Sequence, residues 1–304
     1  MPRKRNSVAE WRPHEFVHAS VEAMFEEGWL KTELKPQVDA LLKAVTREPR
    51  SLLMLDYDGT IAPFRKHRDQ AIPYPGFAAL IEKIVGCAKT RVVIISGRDA
   101  NEIVPLLDID PPPELWGLHG LQRLKPDGTS ELSPLDRSTI ESLAVAESWL
   151  HSQHLDHTGE VKRGSIAVHW RGLEEYEAES IRERVLLGWK PIAKYTQLHL
   201  MEFDGGVEIR ASEADKGRAV KTIIREMDSD TPAAYLGDDT TDEHAFEAMN
   251  GHGLSVLVRP RYRATAAQLW LKPPDEVFEF LQGWLRACQE RDELSPERSL
   301  EVNV

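Results

Sequence analysis

The sequence predicts an α/β fold: a Rossmann-type parallel-sheet core interrupted by an inserted α+β domain. Apolar, β-branched runs alternate with helical patterns over residues 51–120 and 212–288, as buried parallel strands and their crossover helices do. Several of these runs end in polar, reactive residues, and open α/β sheets bind their ligands at the carboxyl ends of the strands. About 120 residues separate Arg98 from Lys216, far more than a strand–helix connection needs.

The same patterns divide the chain. Residues 51–120 and 212–288 are predicted to form the core, and residues 121–211 an inserted α+β cap. Residues 1–50 have helical spacing, which indicates either a helical extension packed on the core or a contact for a partner or a second copy. Residues 289–304 are polar and are expected to fray.

The cap prediction rests on two kinds of pattern. Helical spacing occupies 136–154 and 174–190. The extended runs lie near 121–125, 161–170, 197–203 and 206–210. Together they predict a small antiparallel sheet packed against two helices.

The first reactive segment is Asp56-Tyr57-Asp58-Gly59-Thr60, directly after the apolar run 52–55. An Asp at such a strand end can attack phosphorus and carry an aspartyl-phosphate. A second Asp nearby can move the proton for it. Either Asp alone would more often be a helix cap, so the hypothesis requires partners elsewhere in the chain.

Three later segments supply such partners. Ser96-Gly97-Arg98 offers a hydroxyl and backbone N–H groups to a phosphate oxygen, although alone it would be read as a turn and N-cap. Lys216 opens a helical pattern and can neutralise a phosphoryl group, although alone it would be a solvated lysine. Asp238, Asp239 and Asp242 follow a strand, and clustered carboxylates repel one another unless a cation joins them.

These residue types suggest a hydrolysis of phosphate monoesters in two steps. Asp56 is the predicted nucleophile, and Asp58 protonates the leaving oxygen and then deprotonates water. Mg²⁺ is the predicted cofactor, bound by Asp56, by Asp238 as the main later ligand, and by Asp242 and Asp239, because hard oxygen ligands suit it. An equally good interpretation of Asp239 is that its negative charge stabilises the N-terminus of a helix and binds no metal. Ser96 and Lys216 are expected to hold the phosphoryl group.

Taken together, the segments resemble the haloacid dehalogenase (HAD) superfamily of phosphohydrolases and, within it, the trehalose-6-phosphate phosphatases. The likeness covers roughly Leu52 to Leu285 and is carried by LDYDGT, ISGR, Gly117-Leu118-His119-Gly120, KRGSIAVHWR from Lys162 to Arg171, Val207-Glu208-Ile209-Arg210, Asp215-Lys216-Gly217 and LGDDTTDE. The DxDGT, Lys and GDDxxD set indicates the superfamily. The KxxSxxxHxR segment, with GxHG before it, narrows the resemblance to the trehalose-phosphate group.

The resemblance implies an HAD-like core with a cap, trehalose 6-phosphate as substrate and Mg²⁺ as cofactor. It assigns the backbone carbonyl of Asp58 to the metal, and Lys162 and Glu208 to sugar hydroxyls. The predicted substrate-binding set is Ser96, Gly97, Arg98, His119, Lys162, His169, Arg171 and Glu208. For the cap residues, a position on a solvated strand face is an equally good interpretation. For His119, the equally good alternative is a structural role in the turn.

Strict alternation along one strand does not bring the cap residues to one pocket. Lys162 differs in parity from both His169 and Arg171, so they are predicted to lie on opposite faces unless a bulge intervenes.

Composition limits the partners. The chain has 304 residues, 41% hydrophobic and 29% charged, as expected of a globular enzyme. Its net charge of -12 disfavours nucleic acid and anionic membranes, so local basic residues must attract a phosphate substrate. Cys87 and Cys288 fit no metal or disulfide framework. The basic start is not followed by a long apolar region, so we expect a cytoplasmic protein without a membrane span.

Three classes of function remain open from the sequence. The first is a sugar-phosphate phosphatase, for trehalose 6-phosphate or for a sucrose-phosphate or glucosylglycerol-type substrate. The second is a sugar phosphomutase with a similar core, and the third is a sensor that binds sugar phosphates without turnover. Asp56, Asp58, Lys216 and Asp238 are all present, which argues against the sensor.

Overall fold

The structure is a computed structural model that describes residues 35–65, 67–87, 89–203 and 205–294. The predicted helical extension over residues 1–50 is therefore described only from residue 35. Its predicted role in self-association lies largely outside the described residues.

The described residues form eight α-helices and twelve strands. The helices are α1 Lys35–Arg47, α2 Phe77–Val85, α3 Ala100–Leu107, α4 Arg137–Ser152, α5 Glu175–Tyr195, α6 Lys216–Arg225, α7 Glu243–Ala248 and α8 Asp275–Leu294. The strands are β1 Ser51–Leu55, β2 Thr90–Ile95, β3 Glu114–Gly117, β4 Gln122–Leu124, β5 Ser130–Leu132, β6 Gly159–Lys162, β7 Ser165–His169, β8 Leu198–Phe203, β9 Gly206–Ala211, β10 Ala233–Gly237, β11 Leu254–Val258 and β12 Leu269–Leu271.

Eight strands form a large sheet in the order β12-β11-β10-β1-β2-β3-β4-β5. The first six are parallel, and β4 and β5 are antiparallel additions at one edge. At the centre, Leu55 of β1 is in register with Leu236 of β10 and Ile94 of β2. The predicted parallel α/β core is confirmed, and three of its strands end side by side.

Helices cover both faces of the large sheet, which is why β1 is apolar at every position from Leu52 to Leu55. Leu53 and Leu55 pack into a core with residues of α1, α2, α3 and α8. Leu52 and Met54 point the other way, into a second core with residues of α6 and α7. A strand buried on both sides cannot alternate between apolar and polar residues.

The extended run near 121–125, predicted to belong to the cap, lies in the large sheet. Leu115 of β3 pairs with Leu124 of β4, and β5 pairs with β4 in turn. The side chain of Gln122 also accepts a hydrogen bond of 2.7 Å from the N–H of Ala100 at the start of α3. The sequence does not distinguish this edge hairpin from a cap strand because both are short antiparallel runs.

The other four strands form a separate antiparallel sheet, β6-β7-β9-β8, backed by α4 and α5. We call this sheet and these two helices the cap layer. Its apolar face packs on the helices around Trp189, which is fully buried. The helices predicted at 136–154 and 174–190 and the extended runs at 197–203 and 206–210 are confirmed, with α5 extending to Tyr195, whereas the run predicted at 161–170 divides into β6 and β7.

A hairpin at Arg163 and Gly164 makes the predicted separation of the cap residues wrong. Lys162 is the partner of Ser165 across β6 and β7, and Glu160 is the partner of Ala167. Reversal of the chain therefore resets the parity, and Lys162 and His169 lie on the same face. Glu208 on β9 is the partner of Ala167 and joins them there.

The C-terminal helix continues beyond the predicted start of the frayed tail at residue 289. Helix α8 runs to Leu294 because Arg291, only 4% exposed, is anchored inside the protein. Its guanidinium donates hydrogen bonds of 3.0 Å to the hydroxyls of Ser51 and Thr90.

Among the described residues, no helix combines the length and the apolar character that crossing a bilayer would require.

Candidate active site

Three neighbouring strands of the large sheet deliver the predicted reactive residues to one edge. Asp56 follows β1, Ser96 follows β2 and Asp238 follows β10. Because β1 lies between β2 and β10, these side chains converge at the carboxyl ends of the strands.

A buried lysine lies at the centre of the acidic residues at the carboxyl edge of the large sheet. We call this part of the site the floor. The Lys216 ammonium group donates to Asp56 Oδ1 at 2.6 Å and to Asp242 Oδ1 at 2.7 Å, and all three side chains are at most 5% exposed. Lys216 is the first residue of α6, whose N-cap Asp215 accepts from the N–H of Arg218. Burial lowers the pKa of Lys216, but Asp242 and Asp56 outweigh burial and raise it well above its ordinary value. Lys216 is therefore charged.

Asp242 acts mainly as an anchor. Its Oδ1 accepts from Lys216 and from the Tyr235 hydroxyl, and its Oδ2 accepts from the N–H groups of Asp238 and Asp239 at 3.1 and 3.0 Å. Four donors occupy both oxygens, so Asp242 fixes the lysine and the strand end.

Asp238 is the carboxylate best suited to a cation. It is 4% exposed, and no donor within the described ranges is hydrogen-bonded to its carboxylate. Burial and the charges of Asp56, Asp242 and Asp239 raise its pKa well above its ordinary value. Carboxylate oxygens of Asp56, Asp238 and Asp242 lie within 4.8 Å of one another. Three carboxylates beside one ammonium group leave excess negative charge, which a divalent cation would neutralise.

Gly59 allows this close approach. It has a φ of 84°, and a Cβ atom there would lie 2.3 Å from Asp238 Oδ2. Any side chain at position 59 would displace the Asp238 carboxylate.

Asp239 does not join this cluster. Its Oδ1 accepts from the N–H of Thr240 at 2.7 Å, and with Asp242 it closes the short helical turn 240–242. Of the two interpretations of Asp239 from the sequence, the geometry supports the helix cap.

Asp58 is held by an arginine and not by the acidic cluster. Arg98 Nε and Nη2 each donate to the Asp58 carboxylate at 2.6 Å, a bidentate pair. Arg98 Nη1 also donates to the backbone carbonyl of Arg68 at 2.7 Å. Arg98 therefore orients the Asp58 carboxylate, and its predicted contact with substrate stays a prediction.

The polar face of the cap layer and the carboxyl edge of the large sheet enclose a cavity of about 740 Å³. The predicted residues that line it are Asp56, Asp58, Ser96, Gly97, Arg98, His119, Lys162, His169, Arg171, Glu208, Lys216, Asp238 and Asp239. Asp242 lies behind them, with no exposed surface. A cavity of this size accommodates a small phosphorylated sugar.

His119 and Glu208 meet where the cap layer joins the core. We call the polar face of the cap layer the roof of the cavity. His119 Nε2 lies 3.2 Å from Glu208 Oε2, and His119 Nδ1 lies 3.5 Å from Arg210 Nη1. An arginine only donates and a carboxylate only accepts, so the imidazole is neutral with its proton on Nε2. Burial lowers the pKa of His119, in agreement with a neutral ring. The ring packs so closely that a Cβ atom at Gly97 would lie 2.5 Å from it.

The remaining roof residues differ in what they contact. Lys162 Nζ donates to the Gly97 carbonyl at 3.1 Å, and burial lowers its pKa to about 8. Burial, with Lys162 and Arg68 nearby, lowers the pKa of His169 to about 4, so His169 is neutral near pH 7. The Arg171 guanidinium lies 4.4 Å from the centre of the Phe64 ring, a cation–π contact between cap layer and core.

Sequence reasoning missed several contributors. Tyr235 directly precedes the segment LGDDTTDE and Arg210 ends the segment Val207-Glu208-Ile209-Arg210, but the sequence assigned no chemistry to either. Arg68 and Glu160 lie outside every motif, and no signal in the sequence identifies them.

The fold defines the class of protein. The structure is similar to the C. albicans trehalose-6-phosphate phosphatase C-terminal domain, with a TM-score of 0.69, 20% identity and coverage of 83% of this chain and 96% of that one. A haloacid dehalogenase-like hydrolase from Bacteroides thetaiotaomicron matches with a TM-score of 0.55 and 12% identity, over 77% of this chain and 98% of that one. The fold is therefore that of the HAD-like hydrolases.

Sequence comparison identifies the family. The family model described as Trehalose-phosphatase matches residues 54–272, and the chain belongs to this family. The trehalose-phosphate phosphatase of Mycobacterium tuberculosis is 29% identical over 262 residues, which are 81% of this chain and 63% of that protein. The chain thus spans less than two thirds of the length of this curated relative.

We predict that His119 stays neutral, with the proton on Nε2, at pH 6.5, where an ordinary imidazole is about half protonated. Its depressed pKa means that acidification destabilises the fold, because the unfolded chain takes up the proton first. Long-range ¹⁵N–¹H NMR of the ring distinguishes the tautomers, with exposed His252 as the reference. A protonated ring or an Nδ1–H tautomer at this pH would contradict the prediction.

Proposed function

We propose that this chain is a Mg²⁺-dependent phosphatase that hydrolyses trehalose 6-phosphate to trehalose and phosphate through an aspartyl-phosphate on Asp56. The observation that carries the proposal is the Asp56 carboxylate, 2.6 Å from the buried Lys216 ammonium group and open to the cavity. Membership of the trehalose-phosphatase family supports the substrate.

Asp56 and Asp238 would hold the metal, with Asp242 fixing the backbone that presents Asp238. When bound, Mg²⁺ supplies positive charge for the phosphoryl oxygens and for the crowded carboxylates. Lys216 supplies a positive charge of its own beside Asp56.

The chemistry assigned to the chain has two displacements at phosphorus. A carboxylate oxygen of Asp56 attacks, the bond from phosphorus to the sugar oxygen breaks, and Asp58 gives that oxygen a proton. Water then attacks phosphorus, Asp58 takes a proton from it, and the bond to Asp56 breaks to release phosphate. Arg98 orients Asp58, and their pairing must weaken when Asp58 is protonated, because protonation removes the charge that Arg98 contacts.

Selectivity for the sugar is assigned to the cap layer. Phosphoryl and metal contacts are common to every sugar phosphate, so discrimination requires groups that pair with sugar hydroxyls. Lys162 and Glu208 face the cavity from above and offer a donor and an acceptor. We further propose that the inserted cap begins after Leu132, since β4 and β5 belong to the large sheet, and that it ends near Ala211.

Asp56→Asn is expected to lower turnover of trehalose 6-phosphate at least about a thousandfold, because the amide cannot attack phosphorus. The amide is nearly isosteric, so the thermal midpoint should stay close to that of the parent. Acid quenching with phosphorus-labelled substrate should place the label on Asp56 in peptide mapping. The exposed Asp69→Asn variant is the control, and label on another carboxylate would overturn the assignment of the nucleophile.

Exhaustive chelation is expected to abolish phosphate release, and added Mg²⁺ to restore it. Asp238→Asn should weaken Mg²⁺ binding at least about tenfold in calorimetric titration, because it removes a buried ligand charge. Asp239→Asn is the matched control, since Asp239 caps a helical turn. Full activity of the chelated protein would refute the metal requirement.

Lys162→Ala and Glu208→Ala are each expected to lower kcat/KM for trehalose 6-phosphate by about tenfold to a hundredfold, the loss of a hydrogen bond to a charged group. The loss on p-nitrophenyl phosphate, which lacks the sugar, should be much smaller. Equal losses on both substrates would instead indicate a disturbed cap. A panel of sugar phosphates separates trehalose 6-phosphate from sucrose-phosphate and glucosylglycerol-type substrates.

A further inference from the structure

An ion pair outside every sequence motif crosses the cleft. The guanidinium of Arg68, from the short turn Arg68–Gln70 beside the large sheet, donates to Glu160 Oε1 on β6 of the cap layer. The side chains are 35% and 27% exposed, so solvent only partly screens the pair. The two residues are 92 positions apart in the sequence. The pair therefore connects the large sheet to the cap layer, which are formed by different parts of the chain.

The second oxygen of Glu160 organises the roof. Glu160 Oε2 lies 3.0 Å from His169 Nε2 and 3.5 Å from Lys162 Nζ. Since His169 is neutral, its Nε2 donates to the carboxylate. Glu160 therefore contacts both His169 and Lys162, the residue proposed to contact the sugar.

The arginine side of the pair leads to the acid–base group. The Arg68 backbone carbonyl accepts from Arg98, and Arg98 holds both oxygens of Asp58. Burial and the nearby Arg98 lower the pKa of Arg68, so this cation depends on acidic partners. Glu102 is 4.0 Å away, and Glu160 is in direct contact.

We propose that Arg68 and Glu160 are positioning residues for the phosphatase reaction: their cross-cleft ion pair holds the cap layer closed over a bound sugar phosphate and directs Lys162 toward the sugar. The kinetic part of this proposal rests on the proposed function, and the structural part does not. Loss of the pair lowers the population of the closed state, so a substrate that needs the roof binds more weakly.

The kinetic test compares Arg68→Met, Glu160→Gln and the double variant. Each single variant should raise KM for trehalose 6-phosphate by roughly three- to tenfold, the range of a partly buried ion pair, with kcat within about twofold. The double variant should be no worse than the more affected single variant, because both remove one interaction. Arg68→Lys, which keeps the charge, should recover part of the loss, and kcat/KM for p-nitrophenyl phosphate should stay within about twofold.

Glu202→Gln is the matched control. Glu202 is in a similarly exposed ion pair with Arg182, but that pair lies wholly within the cap layer. Its removal should leave KM within about twofold of the parent value.

A second readout needs no substrate. Hydrogen–deuterium exchange of the β6 and β7 amides should be faster in Arg68→Met, which leaves the cap layer itself unchanged, and unaltered in Glu202→Gln. Unaltered exchange in Arg68→Met, additive effects in the double variant or equal losses on both substrates would overturn the proposal. If no sugar phosphate is hydrolysed, the proposed function fails, while exchange still decides whether the ion pair closes the cleft.

Discussion

The contact between Lys216 and the carboxylates of Asp56 and Asp242 is the interaction on which the site depends. A buried charge without partners is strongly unfavourable, and breaking a buried pair costs about 3–5 kcal/mol. The lysine therefore constrains both strand ends: Asp56 after β1 and, through Asp242, the backbone of Asp238 after β10. Both oxygens of Asp242 already accept hydrogen bonds, so its role is to compensate the buried charge of Lys216. Charge pairing in the floor therefore positions both the proposed nucleophile, Asp56, and the proposed metal ligand, Asp238.

The floor could be predicted from the sequence because its geometry follows from the parallel sheet. Asp56, Ser96 and Asp238 each come directly after an apolar run, and parallel strands bring their carboxyl ends to one edge. Distinguishing Asp239 from Asp238 was harder, since both are acids at a helix start. The hydrogen bond from Thr240 identifies Asp239 as the N-cap of a helical turn. The close approach to Gly59 identifies Asp238 as the carboxylate that faces the loop after β1.

The roof could not be predicted in the same way, because its faces depend on where the chain reverses. Two turn residues, Arg163 and Gly164, place Lys162 and His169 on one face, whereas counting along a single strand separates them. The edge hairpin of β4 and β5 shows the same difficulty, since nothing in a short antiparallel run specifies which sheet it joins. Arg68 and Glu160 illustrate a further limit: a contact across 92 positions between isolated charged residues has no local pattern.

The distribution of charge would allow a chain with a net charge of -12 to bind the proposed anionic substrate. The floor concentrates acids around Lys216, which suits a divalent cation, while the walls and roof present Arg68, Lys162 and Arg171 to the cavity. A phosphate monoester would then lie between a cation-loaded floor and a basic roof, and the overall negative field would be screened within about a Debye length. Glu160 and Glu208 reduce the mutual repulsion of these basic side chains. Glu160 contacts Arg68 and Lys162, and Glu208 lies 3.9 Å from Arg210. The proposed recognition of phosphate and the proposed closure of the cleft would therefore use the same charges: the basic groups that would attract the substrate contact acids that belong to the cap layer.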